Sequence, residues 1–156
     1  MSYDLLVFDP ANAPNGREPF MAWYASLTEW ADEHGYGDPN ATTPQLRAWY
    51  EEMRVLYPNM NGPGAPTDDD LMTPGLENRL IGYTIAKHAI YMTCAWSEAE
   101  NIYPVVRDLV IKHTIGFYDV SGDDGDGEIY FPGDVQRPPS DGLWRDIAKQ
   151  FRDLRQ

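Results

Sequence analysis

Cys94 is the one cysteine in this 156-residue chain, so no internal disulfide can form. Cationic residues are scarce as well: twelve Lys and Arg stand against twenty-five Asp and Glu, a net charge of −13. A field of that sign repels nucleic-acid phosphates and anionic lipid headgroups, which sets aside DNA, RNA and membrane surfaces as partners. No stretch approaches the roughly 20 apolar residues needed to span a bilayer. The opening MSYDLLVF lacks the basic flank, long apolar run and small-residue cleavage site of a secretory signal, so a reducing cytoplasm is the expected compartment. Nucleophile-elbow GxSxG, the phosphate-cradling GxxxxGK, dinucleotide GxGxxG and zinc-type HxxxH are all missing. No catalytic residue, metal or cofactor is therefore expected, and binding is favoured over turnover.

What is present is material for a core. Apolar residues make up 42% and aromatics 13%, with five Trp and ten Tyr, enough to offset the ordering entropy of one domain over residues 1–156. Residues 3–9, YDLLVFD, form a short apolar run ended by Pro10 and read as a first, central strand. From Pro19 to His34, Phe20, Trp23, Leu27, Trp30 and Ala31 recur at helical spacing, with Gly35 as the stop. Thr42 or Thr43 caps a second helix with Pro44 at its first position, and Leu46, Trp49, Met53 and Leu56 line its inner face up to Pro58.

The segment 59–75 carries prolines, glycines and the run Asp68, Asp69, Asp70, which makes it an irregular surface loop. Residues 80–95 are rich in β-branched and aromatic side chains and read as a hairpin turning at Ala86-Lys87, with a single long strand as the alternative. Ser97 and Glu100 form a capping box before a helix faced by Ala99, Ile102, Val106, Leu109 and Val110, which Pro104 is expected to kink or restart. The runs 115–120 and 128–132 flank the Asp-Gly pairs of SGDDGDG as a second hairpin, and Ser140 or Asp141 caps a final helix in which Leu143, Trp144, Ile147 and Phe151 face inward and Arg145, Lys149, Arg152 and Arg155 lie on the other face. The expected fold is α+β: one two-layer domain with a mostly antiparallel sheet of four to five strands packed against three to four helices.

Asp123, Asp124, Asp126 and Glu128 concentrate hard oxygen donors of the type calcium or magnesium takes, but the EF-hand spacing is absent, and a solvated turn is the simpler account. His34, His88 and His113 fall on separate elements, with His88 reading as structural and His113 as a partner of a helix C-terminus. Cys94 reads as core. Tyr24, Tyr36, Tyr50 and Tyr57 lie off the main apolar faces, where tyrosines beside acids suit recognition of a basic protein. No Lys or Arg occurs between Arg17 and Arg47 or between Lys112 and Arg137, so acidic charge is clustered, which favours steering toward a cationic patch.

Four segments carry a resemblance: YDLLVFDP at 3–10, PNMNGP at 58–63, AWSEAE at 95–100 and GFYDVSGDDGDGEIYFP at 116–132. Together they resemble a set of small acidic bacterial proteins of unassigned biochemistry, some of them associated with secreted antibacterial toxins; Pro104 departs from the helix-friendly residue expected at its place. The resemblance implies an immunity-type protein of bacterial competition, a cytoplasmic toxin inhibitor. Its partner would be a cognate toxin with a basic patch, met through Asp68, Asp69, Asp70, Asp123, Asp124, Asp126, Glu128 and Tyr130, as a monomer or a homodimer. The alternatives are a divalent-metal-dependent enzyme using the 119–128 loop and a structural or regulatory subunit.

Overall fold

A computed structural model of the chain describes residues 2–30, 36, 38–60, 65–122 and 127–132. Five antiparallel strands form one sheet: β1 Ser2–Phe8, β2 Gly82–Ile85, β3 Ala89–Ala95, β4 Gly116–Tyr118 and β5 Ile129–Tyr130, in the order β2-β3-β1-β4-β5. The first strand is central, as expected from its unbroken apolar run. Leu5, Leu6, Val7 and Phe8 are all fully buried, which requires both faces of β1 to be covered. Each such side chain contributes about 1.5–3 kcal/mol relative to exposure.

Alternation along β1 divides the interior into two cores. Tyr3, Leu5 and Val7 meet Leu46, Trp49 and Met53 of helix α2 (Pro44–Leu56) and Ile102, Val106 and Val110 of helix α3 (Ala99–His113). Leu6 and Phe8 meet Phe20 of helix α1 (Arg17–Leu27) together with Tyr118, so α1 lies over the opposite face of the sheet. Aromatic edges carry that second core: Phe20 packs on Phe8 at 5.1 Å and on Tyr118 at 5.3 Å.

Several local expectations change. Helix α1 ends at Leu27 instead of running to His34: the Thr28 hydroxyl donates to Tyr24 O, and Trp30 takes a left-handed φ of 52° that turns its indole onto Tyr91. Gly35 and His34 lie outside the described residues. Thr43 caps α2 as expected, accepting from Leu46 N, but Leu56 is exposed rather than inward. The Ser97–Glu100 capping box does not form, because residues Trp96–Glu98 make a 3-10 turn and α3 starts at Ala99 with no side-chain cap. Pro104 does not interrupt α3; it sits on the exposed face near the helix start, where its missing N–H removes one bond. The final helix expected from residue 140 lies outside the described residues.

The edge strand β2 is shielded. Alternation of the β2–β3 ladder turns the main-chain groups of Ile81, Tyr83 and Ile85 away from β3. Ile81 is taken by Pro58 O and Met60 N at 3.0 and 2.8 Å, and Ile85 N donates to Tyr36 O at 2.7 Å. Tyr83 is left as the open position on this edge among the described residues.

Candidate partner-binding surface

The Asp68–Asp70 run lies where the sequence places it, on the surface. All three aspartates are exposed, on a stretch that closes into a short 3-10 turn at Asp70–Met72. Thr67 and Asp70 hold the turn by reciprocal bonds: Thr67 N donates to Asp70 Oδ2 at 3.1 Å, and Asp70 N donates to the Thr67 hydroxyl at 3.2 Å. This is Ser/Thr–Asp turn chemistry, so the local sequence sets the conformation without help from the core. None of the ion pairs among the described residues involves Asp68, Asp69 or Asp70. A second 3-10 turn follows at Leu76–Arg79.

Glu128 and Tyr130 are placed differently from the expectation. Both point inward at the base of the β4–β5 hairpin. The Glu128 side chain is 10% exposed and meets Arg107 of α3 through two bonds of 3.2 Å, from Nε to Oε1 and from Nη2 to Oε2. The Tyr103 hydroxyl donates to Glu128 Oε1 at 2.7 Å, and the Arg107 guanidinium lies over the buried Tyr130 ring at 5.3 Å. Burial, and then the Glu128 charge, push the Tyr103 phenol well above its ordinary range, so it remains a donor. Asp119 is buried beside this network and accepts from the Tyr3 hydroxyl at 2.7 Å. These carboxylates fasten the hairpin to α3 and to β1, and Glu128 and Tyr130 leave the contact surface. Asp123, Asp124 and Asp126 lie outside the described residues.

The tyrosines divide as well. Tyr50 and Tyr57 are buried, with the Tyr50 hydroxyl joined to Asn59 and the Tyr57 ring under Arg79 at 5.1 Å. Tyr24 is half-buried against Tyr118, and Tyr36 is half-buried with its ring against Trp30. On the α1 face the Tyr91 hydroxyl donates to Asp4 Oδ2 at 2.5 Å, and burial holds that phenol protonated.

No family model, curated protein or solved structure matches the chain. Function is therefore read from side chains.

For chemistry, the described residues offer little. They contain no group of three His, Cys, Asp or Glu placed to hold a metal ion. His88 Nδ1 meets Asp9 Oδ2 at 3.3 Å, where the pair ties the β2–β3 turn to the end of β1. His113 Nε2 pairs with Glu52 Oε2, and Lys112 donates to Glu52 Oε1 at 2.6 Å, which links α3 to α2. Cys94 is buried in β3, and burial pushes its thiol up to about 12, which suppresses the reactive thiolate. No helix of the described residues is long and apolar enough to cross a membrane.

Several apolar side chains stay outside the core without any signal in the sequence. Val55 is 74% exposed and Met72 81%, with Leu56, Met60, Leu71 and Ile111 also exposed. Helical periodicity gives no warning for Leu56, which sits in register with the inner face but is the last residue of α2.

Proposed function

We propose that this chain is an immunity-type binding protein that neutralises a protein toxin by covering a cationic patch on it. The observation that carries the reading is the exposed Asp68–Asp70 run, in which three successive carboxylates face solvent without an ion pair among the described residues. Like charges held together raise the local field and favour encounter with a basic surface, an effect on association rate that salt screens. The net charge of −13 adds a long-range component of the same sign.

The test begins with the tagged full chain as bait in its native host, followed by identification of the retained protein. That protein is then expressed alone and together with the chain. Growth arrest in the first case, relieved in the second, is the expected result, with an association rate that falls as salt rises. The triple variant Asp68→Asn, Asp69→Asn, Asp70→Asn should associate more slowly than the parent while melting at the same temperature. A retained protein that leaves growth untouched overturns the toxin reading, and salt-independent association overturns the steering.

A further inference from the structure

Five of the six large hydrophobic side chains exposed among the described residues fall between residues 55 and 72: Val55, Leu56, Met60, Leu71 and Met72. Scattered singly, exposed apolar side chains need no explanation, but here the chain gathers them. Arg79 reaches back from the second 3-10 turn to donate to Leu56 O at 2.5 Å, and Met60 N donates to Ile81 O at 2.8 Å. The end of α2, residue 60 and the segment 79–81 are thereby held side by side. The turn bearing Leu71 and Met72 packs in turn against the one ending at Arg79.

Among the described residues, the acidic charge around these side chains is not balanced by nearby cations. Residues 65–79 hold four acids, Asp68, Asp69, Asp70 and Glu77, against Arg79 alone. That one cation is already committed to Leu56 O and to the Tyr57 ring. Arg54, the nearest cation on α2, is paired with Glu51 at 2.8 Å. A partner fitting this surface has to bring its own positive charge together with apolar side chains.

The backbone decides the form of the partner. Strand addition needs a run of free main-chain groups, and on the neighbouring β2 edge Ile81 and Ile85 are occupied. Met, Leu and Val side chains, with flexible Met at two of the five positions, instead form the kind of surface that takes the apolar stripe of a helix.

We infer that the surface formed by Val55, Leu56, Met60, Leu71 and Met72, rimmed by Asp68–Asp70, docks an amphipathic helix whose apolar stripe is flanked by Lys or Arg. The inference rests on the reading of the chain as a binding protein and names the chemistry of its partner. The apolar centre supplies the affinity, and the acidic rim supplies orientation and speed of encounter.

The test uses the full chain and a labelled synthetic peptide of about 18 residues, roughly five helical turns, with Leu and Lys at helical spacing. A peptide of identical composition but permuted order is the control. Fluorescence anisotropy should show one saturable site for the ordered peptide, with binding at least about tenfold weaker for the permuted one and for Met72→Asp or Val55→Asp. Both variants change exposed side chains, and an unchanged melting temperature shows that they fold. Equal binding of the two peptides would reduce the effect to charge attraction and overturn the inference, as would full affinity in both variants. Concentration-dependent dimerisation that Met72→Asp abolishes, seen by sedimentation, would also overturn it by assigning the surface to a second copy. A toxin recovered as above that binds Met72→Asp and Val55→Asp as tightly as the parent removes this surface and leaves the immunity reading standing. Ordered-peptide binding alongside a retained protein harmless to growth removes the toxin and leaves the surface.

Discussion

The ring of Phe8 occupies the space that a Cβ on Gly116 would need, and the two residues are direct partners across the β1–β4 ladder. The glycine leaves room for the ring, which reaches Phe20, Trp23 and Phe131 at 5.1–5.7 Å, so one missing side chain seats the core under α1. Gly116→Ala is expected to destabilise the fold by about 1–3 kcal/mol through overpacking. Urea unfolding measures this, and combining the substitution with Phe8→Leu should recover part of the loss because the pair is coupled. Strict additivity would show that the ring and the glycine act independently.

Arg107 pairs with the nearly buried Glu128 through both of its carboxylate oxygens. Arg107→Ala takes that cation from a nearly buried carboxylate and should cost about 3–5 kcal/mol. Tyr103→Phe removes one donor to the same group and should cost about 1.5–3 kcal/mol. The double variant should lose less than the sum, since both act through Glu128. Denaturant midpoints at neutral pH read all three.

Thr114 ends α3 in the left-handed region, φ 57° and ψ 46°, where its N–H bonds to Ile111 O. A β-branched residue pays for that conformation and glycine does not. Thr114→Gly is expected to raise stability by about 0.5–1 kcal/mol, the relief of strain exceeding the extra chain entropy. A lower melting temperature for the variant would contradict this.

Hydrogen bonds from Lys112, and then from His113, hold the Glu52 carboxyl below the ordinary glutamate range. A carboxyl lowered in the folded state supports the fold above its unfolded pKa and loses that support as pH falls through its folded value. Melting temperature should therefore fall more steeply in the parent than in Glu52→Gln on acidification below the ordinary glutamate range. Parallel curves would show that the α2–α3 link carries no proton-linked stability.

Much of the fold was legible because its signals are local. The LLVF run, the Thr43-Pro44 helix start, the Ala86-Lys87 turn and the exposed Asp68–Asp70 run all appear as read, since each depends on neighbours along the chain. The inward placement of Glu128 and Tyr130 is not legible in the sequence, because Glu128 finds Arg107 twenty-one positions away, on helix α3, and no spacing rule reports that meeting. The capping box failed for a related reason: a 3-10 turn at Trp96–Glu98 was equally available to the local sequence, and Trp96 packs on Tyr3 from the far end of β1.

Composition and order along the chain by themselves determined the α+β class, the central place of β1 and the negative field, because alternation, turn residues and net charge are properties of sequence. Tertiary structure alone decided which carboxylates are fasteners and which face solvent, and which apolar side chains stay outside. Burial depends on what the rest of the chain lays over a residue: α3 arrives over Glu128, while among the described residues the side chains of Val55 and Met72 remain exposed.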